Sequence, residues 1–196
     1  LAVFIARKLG TDSESPLKGR VVIAAETDEE LKALGADADW RVSTAVIVDG
    51  ILRLISSNPK RDTAAMLESS RKPRTVLVHG RVDRSVLRDL YLDGQDEVLY
   101  ILTRNYLDAC ENIFWRNAPK DSYISKTVGV QALFDVLKLV AKNANEDRDI
   151  SVSRFERILE PAANIDFAAD AFKNASGAGR TTIKHAILAA CGLERR

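Results

Sequence analysis

Cysteine, histidine and methionine are scarce in this chain, which has two Cys, two His and one Met in 196 residues. Cys110 and Cys191 are too few for a disulfide framework and fall on apolar helical faces, so we expect a reducing compartment and core positions. His79 and His185 have no Cys or carboxylate at ligand spacing beside them, which disfavours a metal site. No Ser-His-Asp or Cys-His arrangement stands out either. The sequence therefore nominates no catalytic residue, no metal and no cofactor.

The net charge is also small, and the apolar runs are short. The formal charge is only +1, so the chain as a whole does not attract nucleic acid or anionic lipid. No apolar run approaches the roughly 18 residues of a membrane helix, and residues 1–5 lack a signal-peptide cleavage site. The hydrophobic content of 46% is that of a globular protein. We expect a cytoplasmic protein without a membrane partner, and the absence of an initial Met indicates a fragment.

Two helical repeats occupy the centre of the chain. Apolar residues recur at three- and four-residue steps through 99–113 and again through 130–141. Pro119 lies between the repeats and excludes one continuous helix. We predict two amphipathic helices that pack on each other, with five residues in the core: Leu102, Tyr106, Leu133, Phe134 and Leu137.

Residues 43–57 allow two interpretations. A hairpin with a tight Asp49-Gly50 turn would divide the segment into two strands. A continuous helix would place Ile47, Ile51 and Leu54 on one face. The shared face favours the helix.

Elsewhere the sequence predicts short elements. Small β-branched runs favour strands at 21–24 and 76–78, and 82–92 is predicted to be helical. The fold class is mainly α, a multi-helix domain with a few short β-strands. Residues 1–150 form the helical core portion, which continues a domain whose N-terminal part is absent, and 151–196 form a C-terminal three-helix segment packed on it.

A glycine-rich loop at 174–182 precedes the last predicted helix. Unpaired N–H groups at such a helix start favour an anion. A nucleotide P-loop is rejected, because Asn174 replaces its first glycine and Arg180 its lysine. The remaining hypothesis is a nucleic-acid or anion site formed by Ser176, Gly177, Gly179, Arg180, Thr181, Thr182 and Lys184. An equally weighted alternative is that Gly177 ends one helix and Gly179 starts the next.

Residues 53–90 carry a surplus of basic side chains. Such a surplus suits phosphates, but no stacking aromatic is interleaved with it, so a solvated face is the favoured interpretation. The cations are Arg53, Lys60, Arg61, Arg71, Lys72, Arg74, Arg81, Arg84 and Arg88.

The central region is similar to a known family. Residues 101–109, Trp115 and residues 124–133 resemble the region downstream of the signature in DGQHR-domain proteins. Further similar segments occur at 6–9, 15–21, 54–59 and 175–180, so the resemblance runs almost end to end. The signature pentapeptide itself is absent.

The resemblance implies a bacterial, DNA-associated regulator or accessory factor of a DNA-modification or phage-defence system. It also implies that this chain is the C-terminal half of a larger α+β protein, with a ParB-like fold upstream. Two other hypotheses stay open: a helical protein-interaction module, or the scaffold half of a nucleotide- or nucleic-acid-processing enzyme with catalytic residues upstream. The expected partners are DNA, another protein or a second copy of the chain.

Overall fold

A computed structural model describes residues 1–22, 39–68, 74–78, 83–173 and 177–194. Within these ranges the chain is mainly helical, which confirms the predicted fold class. The helices are α1 Ala2–Thr11, α2 Thr44–Ile55, α3 Pro59–Glu68, α4 Thr75–Val78, α5 Arg88–Leu92, α6 Asp96–Cys110, α7 Thr127–Glu146, α8 Val152–Leu159 and α9 Gly177–Ala190. A π-helix, Glu111–Trp115, extends α6, and 3₁₀ turns lie at Tyr123–Ser125, Glu160–Ala162 and Asp170–Phe172.

Two short strands form a small parallel sheet. β1 is Val21–Val22 and β2 is Val42–Ser43, with Val21 opposite Val42. This confirms the first half of the strand predicted at 21–24; residues 23 and 24 lie outside the described part of the chain.

α2 confirms the helical interpretation of residues 43–57. Ile47, Ile51 and Leu54 are almost completely buried on the face that the periodicity identified. A tight Asp49-Gly50 hairpin turn would need positive φ angles, which neither residue has.

α7 lies at the centre of the hydrophobic core. All five predicted core residues are at most 3% exposed. The two central helices touch, since the Tyr106 hydroxyl donates to the Leu133 carbonyl at 2.8 Å. However, α7 packs more extensively on α2 and α9, whereas α6 packs mainly on α8. The long helix therefore joins early and late parts of the chain.

The strand predicted at 76–78 is wrong, because Thr75–Val78 is a helical turn. Backbone groups of a three-residue strand need a neighbouring strand. A helical turn satisfies its own groups, and here the Leu77 N–H donates to the Arg74 carbonyl at 3.1 Å.

The helix predicted over 82–92 begins only at Arg88. Asp83 is the reason, because its Oδ1 accepts from the backbone N–H and the hydroxyl of Ser85, at 2.9 and 2.6 Å. Such a local side-chain turn competes with helix formation. Val82 lies outside the described residues.

The C-terminal segment consists of α8, two 3₁₀ turns and α9. Phe155 of α8 is fully buried, and its ring meets that of Tyr106 edge to face at 5.4 Å. Ile183 and Ile187 of α9 are also fully buried. This segment thus shares one core with the rest of the chain.

No helix in the described ranges combines the length and the apolar character that crossing a bilayer requires.

Candidate nucleic-acid interface

Residues 177–182 of the predicted anion-binding loop form the first turns of α9. Gly177 is the first residue of this helix and Gly179 lies within its first turn. The alternative in which Gly179 starts the helix is therefore wrong. The Thr182 hydroxyl donates to the Ala178 carbonyl at 2.9 Å, so it bonds back to its own helix. Ser176 lies outside the described residues.

Arg180, one of the predicted anion-binding residues, is paired inside the protein. Its Nε and Nη2 donate to the two carboxylate oxygens of Asp135 on α7, at 2.6 and 2.5 Å. Both side chains are about one-fifth exposed. The Asp135 hydrogen bond raises the pKa of Arg180. The negative charge of Asp135 therefore offsets the positive charge of Arg180, which leaves little attraction for a phosphate.

Asp135 also belongs to a wider network of charges. Arg53 on α2 contacts Asp135 at 3.7 Å and Asp49 at 2.7 Å. These four groups carry two positive and two negative charges, and they join α2, α7 and α9. The network balances its own charge and holds three helices together, so it is a poor source of attraction for DNA.

Lys184 and Thr181 remain at the surface of α9. Lys184 lies one turn beyond Arg180, is partly exposed and has no ion pair among the described residues. Thr181 is exposed. The structure therefore brings six of the predicted residues together on the first turns of one helix, but only Lys184 offers an unpaired positive charge.

The basic surplus at residues 53–90 divides into three groups in the structure. Arg53, Arg74 and Arg88 form ion pairs with Asp49, Asp96 and Asp62. Residues 71, 72 and 81 lie outside the described part of the chain. Lys60, Arg61 and Arg84 are exposed and have no acidic partner among the described residues. We call these last three residues the α3 basic patch.

Two hydrogen bonds bring the backbone segment that contains Arg84 close to the start of α3. The Ser57 backbone N–H and hydroxyl donate to Asp83 Oδ2, at 2.8 and 3.0 Å. This places Arg84, the residue after Asp83, beside the segment that starts α3. Lys60 and Arg61 lie in the first turn of α3, where the Arg61 N–H donates to Asn58 Oδ1 at 3.2 Å.

No family model, curated protein or solved structure matches this chain.

Asp83 is the acidic group closest in sequence to Arg84. Burial acts to raise its pKa, but hydrogen bonds from Ser85 and Ser57 outweigh that effect and lower the pKa to about 2. Asp83 therefore stays charged at neutral pH. Its oxygens are occupied by these donors and do not pair with the α3 basic patch.

A buried arginine holds α3 on the rest of the molecule. None of the α3 residues is fully buried, and Ala65 and Met66 pack on the core as partly buried side chains, so apolar packing holds α3 less firmly than the core helices. Arg88 is 5% exposed, forms an ion pair with Asp62 of α3 and donates to the Ile55 carbonyl at 3.0 Å. Sequence analysis assigned Arg88 to the basic surplus and missed this role. The only signal was a carboxylate 26 residues away, which sequence spacing cannot connect to it.

Proposed function

We propose that this chain is the helical part of a DGQHR-type protein with a DNA-associated regulatory or accessory role in a DNA-modification or phage-defence system. In this proposal the α3 basic patch contacts DNA phosphates. The observation that supports this placement is that Lys60, Arg61 and Arg84 are exposed and have no acidic partner in the described part of the chain, whereas Arg180 is paired with Asp135. The α9 start becomes the weaker contact, through Lys184.

The start of α3 suits a phosphate for two physical reasons. Helix N-termini carry partial positive charge, which favours an anion. Lys60 and Arg61 add full positive charges in the same turn, and Arg84 adds a third from the neighbouring segment. Contacts of this kind position a protein on DNA without reading bases. Binding should accordingly be salt-sensitive and weakly selective for sequence.

The test measures duplex-DNA affinity across a salt series. For Lys60→Ala with Arg61→Ala and Arg84→Ala, we expect the slope of log affinity against log salt to fall by about three units, one for each lost phosphate contact. Lys184→Ala alone should lower it by about one unit if α9 also touches DNA.

The matched control removes three other exposed cations, through Arg7→Ala, Lys18→Ala and Lys138→Ala. It changes net charge equally, so a purely global effect would lower both slopes alike. Equal slopes in these two triple variants would refute the placement at α3. The absence of measurable DNA binding by the native chain would refute the DNA-associated function itself.

A protein-interaction module is the second candidate, because α1 exposes adjacent apolar side chains. Val3 is 52% exposed and Phe4 is 64% exposed. Aromatic side chains are enriched in protein interfaces. Sedimentation of the native chain and of Val3→Ser with Phe4→Ser tests for self-association. A dimer that is lost in this variant supports the second candidate, and a monomer in both cases excludes self-association through α1.

A further inference from the structure

A groove of about 450 Å³ lies where the π-helix, the connector to α7 and residues 160–167 meet. Small-molecule sites commonly occupy about 300–1,000 Å³. None of the residues that line this groove belongs to the α3 basic patch or to the predicted α9 site. The groove is therefore separate from both surfaces that are proposed to contact phosphates.

The groove has aromatic side chains in its lining. Phe114 of the π-helix and Phe167 both contribute to it, and their rings meet edge to face at 5.8 Å. Both side chains are largely buried, so they give the groove an apolar surface on which an alkyl stem can pack.

Acidic and amide side chains form the polar part of the lining. Glu160 and Asp166 contribute carboxylates, and Asn117 and Asn164 contribute amides. Neither carboxylate has an ion pair within the described residues. The one hydrogen bond to either of them in that part of the chain is the Ala168 N–H to Asp166 Oδ1, at 3.0 Å. Two negative charges thus face the groove without neutralisation.

No described cation offsets these charges from inside the groove, since no Lys, Arg or His contributes to its lining. Arg116 hydrogen-bonds Asn112 of the lining, but Arg116 and Lys120 both line a neighbouring cleft. The end of the helical rod 96–115 also lies here, and a helix C-terminus adds partial negative charge. Among the described residues that line the groove, both charged side chains are therefore negative.

We propose that this groove binds an organic cation, an ammonium or guanidinium group on a short alkyl stem. Glu160 and Asp166 pair with the charged head, and Phe114 and Phe167 contact the alkyl stem. Phosphates and other anions are excluded by the same field. This chemistry is shared by free small amines and by the Lys or Arg side chains of a peptide.

The test is a calorimetric titration with butylguanidinium and with its neutral isostere, butylurea. We expect saturable binding of the cation, at least about fivefold tighter than that of butylurea. In Glu160→Gln with Asp166→Asn, cation affinity should fall by about fivefold or more, as expected for two partly solvated charges. Both changes keep size and hydrogen-bonding capacity, and the Asn side chain can still accept from Ala168.

The matched control is Glu68→Gln with Glu146→Gln, which removes two exposed carboxylates outside the groove and should leave affinity unchanged. Equal binding of butylguanidinium and butylurea, equal loss in both double variants, or no saturable binding would each overturn the proposal. A capped Gly-Arg-Gly peptide distinguishes the sources. Tighter binding of the peptide supports a protein partner, and tighter binding of the free cation supports a small ligand.

Discussion

Gly50 shows how one residue controls the approach of two helices. It lies on the buried face of α2, and a Cβ there would sit 2.4 Å from Cγ of Phe134 on α7. Real Cβ atoms do not come so close to another carbon. The ring occupies the space that any larger residue at position 50 would need.

Gly50→Ala should therefore destabilise the protein by about 1–3 kcal/mol, the usual range for overpacking a core. Denaturant unfolding measures the loss. Phe134→Leu in the same chain removes the ring, so the double variant should lose less than the sum of the two single variants. A simple sum would show that the two residues do not compete for this space.

At the scale of elements, arginine–carboxylate pairs link segments that are far apart in sequence. Arg88 joins α5 to α3, Arg74 joins the turn before α4 to α6, and Arg180 joins α9 to α7. These arginine side chains are less than one-third exposed. Planar guanidinium groups bind both oxygens of a carboxylate, which fixes orientation as well as distance. Much of the basic character of this chain is therefore structural.

Arg180→Ala should cost about 1.5–3 kcal/mol of stability, because it removes charged hydrogen bonds and leaves Asp135 with only the longer contact to Arg53. Arg180→Lys keeps the charge but loses the two-pronged geometry, so it should cost less. Thermal or denaturant unfolding of Arg180→Ala, Asp135→Ala and the double variant measures the coupling. A coupling energy near zero would show that the pair is not a cross-link.

At the scale of the whole molecule, one hydrophobic core includes residues from α1 to α9. α7 contributes to it along most of its length, from Val130 to Ala144. α8 and α9 pack on this core and not on each other alone, as the Phe155–Tyr106 ring contact shows. The two sequence portions 1–150 and 151–196 should therefore unfold together.

Phe155→Ala tests this cooperativity. Truncation of this fully buried ring should cost about 3–5 kcal/mol. The fluorescence of Trp40 and Trp115, both in the first portion, should shift to lower denaturant together with the circular dichroism signal. If the tryptophan transition stayed at its native midpoint, the C-terminal segment would be an independent unit.

The spacing of apolar residues was sufficient to predict the long helices. The apolar spacing in α2, α6 and α7 identified their buried faces because 3.6-residue geometry is local and a long repeat averages out its exceptions. It was insufficient for residues 75–78, where four residues carry too little pattern to separate a turn from a strand. It also missed the Asp83 side-chain turn that delays α5.

Only the tertiary structure decided which charged residues form ion pairs. Sequence identified Arg180 and the 53–90 surplus as basic, but not which cations would meet a carboxylate. Asp135 lies 45 residues before Arg180, and Asp62 lies 26 residues before Arg88. Helical faces follow from neighbours three or four residues apart, whereas ion pairs and grooves depend on how distant elements pack. For this protein the sequence by itself determined the long helices and the faces they bury, and the packing decided which charges remain free to bind a partner.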